Sequence, residues 1–258
     1  MHRKKEGVFD MYTVRFQLEL SESEKRFLSK SFFYANQMHN QLVRYATNRL
    51  NALFHDKEYM GARKAYGEAE FSKKKVSELS ASEKKKKKEL SNIMCVKQKE
   101  YNLTKTSLCK FVSKEQKKYK NYINSHQAQA EAEAVYKGVE KVLFEDGHHL
   151  HYRRYNSFDC IKQKCAATGV RLLRWDTICF MKHYYKVRVP KNEYIQNIIS
   201  SVDLKEDVVY SFLKRIEFNS GFKYYVVITL RGDTPKQIKL SEDGGHRTGV
   251  DFGTSTIA

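Results

Sequence analysis

The sequence contains no long apolar stretch. Its most apolar run, near Tyr225 to Leu230, is far shorter than the roughly eighteen residues that a membrane-spanning helix requires. The N-terminal residues MHRKKEGVFDMY also lack the apolar core of a secretory signal. These absences predict a soluble chain that is neither exported nor held in a membrane, and we expect it in the cytoplasm.

Cysteine is scarce and irregularly placed. The five cysteines are odd in number, and no two of them form a CxxC pair, so neither a zinc ribbon nor a disulfide framework is supported. Cys160 and Cys165 follow His148, His149 and His151, but this spacing fits no standard metal site. We therefore expect buried or reduced thiols.

Acidic residues are in deficit. Lys and Arg number 48 against 30 Asp and Glu, which gives a formal net charge of +18. Such an excess attracts polyanions over a range set by ionic strength, so nucleic acid is the first partner to consider. An anionic membrane would instead require a basic helix with a coherent apolar face, which the most basic segment lacks.

The N-terminal region predicts a strand followed by a long helix. In DMYTVRFQLEL, Tyr12, Val14, Phe16 and Leu18 fall on one face of a strand. Ser21 and Glu24 then form a capping-box pattern, and apolar residues recur at three- and four-residue spacing along residues 27–46. The pattern predicts a long amphipathic helix.

The next segment is strongly basic. Residues 61–120 contain 18 Lys and Arg but only 7 Glu. The run formed by Lys84, Lys85, Lys86, Lys87 and Lys88 is typical either of a solvated helix face or of a surface that follows a nucleic-acid backbone. Two further helices are predicted, around residues 105–119 and 126–144.

After Gly147 the pattern changes to strands. The segments HHLHYRRYNSF, GVRLLRW, YYKVRVP, VVYSFLKRIEFN and FKYYVVITLRG are short, aromatic and β-branched. The simplest arrangement places the N-terminal strand in the same sheet, so that the helical block is an insertion. The sequence thus predicts an α+β protein with one β domain that carries a helical lobe.

Basic residues alternate with aromatic residues in two of these β segments. Such a mixture provides phosphate contacts together with flat faces for bases, although alternation also arises when the aromatics simply face the core. The candidate nucleic-acid contacts in these segments are Arg153, Arg154, Lys182, Lys186 and Arg188.

The chain closes on the residues VDFGTSTIA. Asp251 follows Gly249 at the end of a predicted strand, and Gly253 permits a close backbone approach. Spacing alone leaves two interpretations open, a functional carboxylate or a strand that ends in a turn.

This closing motif resembles two groups of proteins with ribonuclease H-like sheets, the actin-like ATPases and the TnpB-like transposon nucleases with their type V CRISPR relatives. The ATPases normally carry the motif near the start of the chain. VRFQLEL and FFYANQMHNQLVRYA resemble the opening strand and recognition helix of the TnpB-like group, with Asn40 at the recurrent helix asparagine. Ser125 and Gln127 are an imperfect match to its Ser-x-x-Gln helix.

The TnpB-like resemblance implies an oligonucleotide-binding-type wedge β-barrel from residues 1–20 and 145–245. A helical recognition lobe would occupy residues 21–144, and residues 246–258 would begin a RuvC nuclease domain. The implied partners are guide RNA and target DNA, in a nucleoid-associated prokaryotic protein, with a separate C-terminal nuclease half left open. The implied nucleic-acid contacts include Asn40, Arg44 and Gln127.

The same resemblance makes Asp251 the first catalytic carboxylate and a ligand of Mg²⁺. The other carboxylates of such a site are absent from the sequence, and one carboxylate alone holds Mg²⁺ poorly. We therefore expect a nucleic-acid-binding N-terminal portion of an RNA-guided DNA endonuclease, with cleavage completed elsewhere. The alternatives are a cleavage-free RNA-guided repressor and a fragment of an actin-like ATPase.

Overall fold

The computed structural model describes residues 10–69, 78–145, 147–164 and 169–232. Within these ranges the protein is α+β. Its strands are β1 (Met11–Glu19), β2 (Cys160–Ile161), β3 (Arg171–Arg174), β4 (Thr177–Phe180), β5 (His183–Arg188), β6 (Val208–Phe218) and β7 (Gly221–Arg231). Its α-helices are α1 (Glu22–Phe54), α2 (Lys57–Glu68), α3 (Ala81–Glu100), α4 (Lys105–Gln116), α5 (Ser125–Phe144) and α6 (Glu193–Ser201).

The seven strands form one antiparallel sheet in the order β2-β6-β7-β1-β5-β4-β3. Strand β1 is central, because it pairs with β7 on one side and with β5 on the other. Its burial alternates as the sequence predicts, and Phe16 and Leu18 are almost completely buried. The prediction that the N-terminal strand joins the later strands, with the helices inserted between them, is therefore confirmed.

The two edge strands of the sheet approach each other. No backbone ladder joins β2 to β3 in the described part of the chain, so the sheet is open. The Gln163 side chain nevertheless donates to the Val170 carbonyl and accepts from the Val170 amide. The Ser211 hydroxyl, on β6, also donates to the Val170 carbonyl at 2.5 Å. Because Val170 immediately precedes β3, these bonds show that the sheet is strongly curved.

Helix α1 connects the sheet to the other helices. Ser21 and Glu24 form the predicted capping box at its start, and its 33 residues span about 50 Å. Near its N-terminus Phe32 packs against Tyr224 of β7, with ring centroids 5.8 Å apart. Further along, Tyr45 stacks on Phe111 of α4 at 4.0 Å. The helix therefore belongs to two layers of the core.

The helical lobe, residues 22–144, consists of a packed part and an extended part. Helices α1, α4 and α5 pack together, whereas α3 packs against α2 and buries only Gln98. The two parts meet at Asp56, which accepts from the Tyr59 amide and the Tyr101 hydroxyl and lies 3.4 Å from Lys97 Nζ. These donors, led by the Tyr59 amide, hold the pKa of Asp56 below its ordinary range.

The segment that returns the chain from the lobe to the sheet differs from expectation. HHLHYRRYNSF was predicted to be a strand, but residues 148–158 form no strand. Side chains bind its backbone in place of a neighbouring strand. Asn36 and Asn40 of α1 hold Arg153, and the Arg215 guanidinium donates to the carbonyls of Tyr155 and Phe158. The prediction of a strand here was wrong, because side chains and turns within the segment provide the hydrogen-bond partners that a neighbouring strand would have provided.

Arg215 is a buried cation whose surroundings are aromatic. It is 1% exposed, and its guanidinium carbon lies 4.0 Å from the Tyr155 ring centroid and 4.2 Å from that of Phe222. Its Nε–H donates to the Phe158 carbonyl at 3.0 Å. The aromatic faces stabilise the charge that burial would otherwise penalise.

The expectations on membrane spans and on the nuclease strand concern different parts of the chain. No helix of the described residues is long and apolar enough to cross a membrane. The predicted nuclease strand, residues 246–258, lies outside the described residues, and Asp251 lies within it.

Replacing Arg215 with methionine tests whether the return segment depends on this guanidinium. We expect the free energy of unfolding to fall by about 2–4 kcal/mol, because the Phe158 carbonyl loses the guanidinium donor, the Tyr155 carbonyl keeps only the Phe158 amide, and the aromatic packing around the guanidinium is lost. Urea denaturation of Arg215→Met measures the change. The neighbouring Lys214→Met, which removes only a partly exposed ion pair with Asp159, should cost at most about 1 kcal/mol. Equal stabilities of the two variants would contradict the assignment.

Candidate nucleic-acid interface

The face of the sheet that points away from the core is strongly basic. The strand register places Lys186 opposite Glu19, Arg188 opposite Gln17, and Arg171 opposite Cys179. Among the outward-facing residues of the described strands, Glu19 is the one acid. The cations on this face, which we call the outer sheet face, are Arg15, Arg171, Arg174, Lys186, Arg188, Lys214, Lys223 and Arg231.

Exposed aromatic rings accompany these cations. Tyr184 is 66% exposed and lies opposite Cys179 on the outer sheet face. Tyr225 lies on the same face, with the Arg15 guanidinium carbon 5.1 Å from its ring centroid. A sheet that combines exposed rings with Arg and Lys is the arrangement that single-stranded nucleic-acid platforms use for stacking and phosphate contacts.

Two of the predicted contacts on this face share one carboxylate. Glu19 lies 2.8 Å from Lys186 Nζ and 3.5 Å from Arg188 Nε. The hydrogen bond from Lys186 is the main reason that the pKa of Glu19 is lowered. Glu19 therefore stays ionised at neutral pH and fixes both cations, although it offsets part of their charge.

A crevice lies between the helical lobe and one edge of the sheet. It has a volume of about 670 Å³ and is lined by the start of α1, the connection between α4 and α5, and strands β3 to β5. Its cations are Lys120, Arg171 and Lys182, and none of the described residues that line it is acidic. Arg171 belongs both to this crevice and to the outer sheet face, so the two surfaces are continuous.

A row of lysines extends from the crevice along α4. Lys110, Lys114 and Lys117 line a groove of about 440 Å³ between α4 and α5, and its described lining also contains no acid. A short 3₁₀-helix, Lys117–Tyr119, leads from this groove to Lys120 in the crevice. We call the groove, the crevice and the outer sheet face together the basic track.

The lysine run on α3 lies on a different part of the molecule. Lys84, Lys85, Lys86 and Lys88 are exposed, and Lys87 Nζ lies 5.9 Å from the Tyr66 ring centroid. Because α3 buries only Gln98, the helix presents charge on most of its circumference. This geometry is compatible both with a solvated helix face and with a surface that follows a nucleic-acid backbone.

Asn40 has a structural role in the described protein. Its side-chain amide donates to the Arg153 carbonyl and accepts from the Arg153 amide, both at 2.9 Å. Asn36 donates to the same carbonyl. The exposed side chains of Arg153 and Arg154 are thereby held beside α1, where Arg44 is also exposed. Asn40 thus orients a basic patch, and its contact with nucleic acid stays a prediction.

Gln127 lies inside the lobe. It is 1% exposed, and it completes the capping box of α5 by accepting from the Asn124 amide. Its position at the third residue of α5 explains why a glutamine occurs here. Any contribution of Gln127 to nucleic-acid binding would therefore act through the fold of the α4–α5 connection.

The metal prediction lies outside the described residues, because Asp251 does. Within the described ranges, no group of three or more His, Cys, Asp or Glu residues is arranged to hold a metal. Four cysteines are free thiols, and burial is the largest cause that raises the pKa of Cys160, to about 11. That thiol is protonated at neutral pH, as expected of an unreactive cysteine.

Sequence reasoning predicted Lys182 but missed the other lysines and the arginine that line the two cavities. Lys110, Lys114 and Lys117 follow an i, i+4, i+7 spacing, which a helix places on one face. That signal was present within the predicted helix at residues 105–119. Arg171 and Lys120 gave no such signal, because only the tertiary fold brings them together.

The comparisons with known proteins give no independent identification. No family model matches the chain, and no curated protein matches it.

An isosteric substitution separates the structural role of Asn40 from a binding role. In Asn40→Asp an anionic oxygen faces the Arg153 carbonyl in place of a donor, so we expect a loss of about 1–3 kcal/mol in the free energy of unfolding. Urea denaturation gives the value. The matched control is Arg44→Ala, one turn further along α1, which should change stability by less than about 0.5 kcal/mol. If Asn40→Asp left the free energy of unfolding unchanged but abolished RNA binding, Asn40 would contact RNA directly and would have no structural role.

Proposed function

We propose that this protein binds structured RNA along the basic track. The observation that carries the proposal is the excess of cations along the track. Two cavities without acidic lining lie beside a sheet face on which eight cations are accompanied by one strand carboxylate, Glu19, and by Asp159 and Asp176 from the adjoining loops. Phosphates require cations spaced along a path, whereas bases require exposed rings. Both are found together on the outer sheet face, where Tyr184 lies two residues from Lys186 along β5 and is separated from Arg171 of β3 by Cys179 of β4.

We further propose that the chain is the nucleic-acid-binding portion of an RNA-guided DNA endonuclease of the TnpB-like type. What supports this is the order of elements, an opening strand at the centre of the sheet followed by an inserted helical lobe and the remaining strands. The curvature that brings Gln163 to Val170 supports an oligonucleotide-binding-type barrel as the wedge domain. Guide RNA and target DNA are the partners in this proposal, and base pairing reads the target.

Cleavage in this proposal requires Mg²⁺ and carboxylates beyond those of this chain. Asp251 would provide one oxygen ligand, and Mg²⁺ needs several. The ion would stabilise the charge that develops on the phosphodiester and its leaving oxygen. The described residues contribute by holding RNA and target, not by cleaving them.

The salt dependence of RNA affinity tests the basic track. Each phosphate contact contributes about 0.7–0.9 to the slope of log K against log salt. Replacing Lys110, Lys114 and Lys117 by glutamine should therefore reduce the magnitude of the slope by about 2 and weaken binding at low salt. Fluorescence anisotropy with a labelled RNA hairpin at several salt concentrations measures both quantities.

The control variant also loses three positive charges, but from lysines that lie outside the two cavities. Lys57, Lys137 and Lys205 are exposed, and they line neither cavity. Replacing all three by glutamine should leave the slope nearly unchanged. Equal effects of the two triple variants would mean that only net charge matters, and the track would then have no special role.

The endonuclease proposal is tested through Asp251. Supplying a separately expressed polypeptide with the missing carboxylates should give Mg²⁺-dependent, RNA-guided nicking, and Asp251→Ala should reduce its rate at least about 100-fold. RNA affinity should not change, because the substitution leaves the track intact. RNA-guided DNA binding without nicking by any variant would instead support a cleavage-free repressor. Stabilisation of the protein by ATP would support the actin-like alternative.

A further inference from the structure

The crevice between the helical lobe and the sheet has the chemistry of a nucleotide site. We propose that it holds one unpaired nucleotide of the bound RNA, with the base against Phe27 and His183 and the phosphate on Lys120, Arg171 and Lys182. This inference rests on the proposed RNA binding and adds a preference for RNA that contains an unpaired residue.

The walls of the crevice carry an aromatic surface made of mutually tilted rings. The rings of Phe27 and His183 lie with centroids 4.4 Å apart and planes inclined at 49°. Phe27 is held in turn by Tyr122, whose ring centroid is 5.3 Å away. This ring contact ties the start of α1 to the α4–α5 connection, so the surface is fixed before any ligand arrives. A base has a flat face that would pack against such a surface, whereas a bare phosphate or an acidic peptide has none.

The cations of the crevice come from separate elements. Lys120 lies in the α4–α5 connection, Arg171 on β3, and Lys182 in the turn between β4 and β5, and all three side chains are exposed. The exposed Asn121 also lines the crevice and offers both a donor and an acceptor to a base edge. A volume of about 670 Å³ lies within the usual range for small-molecule sites.

The turn that presents Lys182 is unusual for its sequence. Met181 and Lys182 both have positive φ, at 49° and 65°. A two-residue hairpin turn of this kind normally contains Asn and Gly, because other residues adopt positive φ at a cost. Lys182→Gly therefore removes the charge and favours the turn, so this variant should fold at least as well as the unmodified protein.

The experiment compares two RNA hairpins that differ only by one bulged uridine. The unmodified protein should bind the bulged hairpin about ten-fold more tightly, the size expected for stacking one base. Phe27→Leu should lose most of this preference while keeping its affinity for the fully paired hairpin. Phe33→Leu is the matched control, because Phe33 is 43% exposed on the same helix but does not line the crevice. Lys182→Gly should weaken binding of both hairpins and keep the preference.

Photochemical crosslinking locates the base directly. With 5-bromouridine at the bulge, we expect the crosslink on a peptide that contains Phe27 or His183. A crosslink confined to α3, or equal affinity for the two hairpins, would overturn the inference. Displacement of the bulged RNA by polyglutamate as readily as by polyuridylate would also overturn it, because the crevice would then select charge alone. The two proposals fail separately: equal affinity for the two hairpins removes the nucleotide site alone, whereas equal effects of the two lysine triple variants remove the basic track.

Discussion

The arrangement of this protein depends on how the chain returns from the helical lobe to the sheet. The return segment, residues 148–158, forms no strand, so its backbone groups find partners in turns of the segment itself and among side chains. Asn40 pairs with both backbone groups of Arg153, and Arg215 donates to the carbonyls of Tyr155 and Phe158. One set of bonds starts from α1 and the other from β6, so the segment fastens the lobe and the sheet to each other.

The hydrogen bonds that join the lobe to the sheet through the return segment determine where the cations of the basic track lie. Helix α1 carries both the Phe32 contact with the sheet and the Tyr45 contact with α4, so its position sets the distance between the lobe and the sheet edge. The crevice occupies that gap, and its cations belong to elements far apart in sequence. A change in the return segment would therefore alter the basic track without touching a residue of the track.

Local periodicity predicted the elements that bury a regular face. Strand β1, helix α1 and helix α5 show their period clearly because one side of each meets the core. Helix α6 was missed, because its pattern is short and follows a proline, and β2 was missed because it has two residues. The return segment has the composition of a strand and yet is irregular. No local signal distinguishes a backbone that pairs with a strand from one that pairs with asparagine and arginine side chains.

The candidate interface was predictable only in part, for a similar reason. Lysine runs are visible in a sequence, and α3 carries the most obvious one, but a helix with charge on most sides does not fix the direction of a ligand. The track combines cations from several elements with walls, rings and a hairpin turn, and this combination comes from tertiary contacts. A flexible lysine loses more conformational entropy on binding than a group already held in place. Cations paired with Glu19, or placed on a hairpin turn beside the crevice as Lys182 is, therefore favour a defined binding geometry more strongly than the run that dominates the sequence.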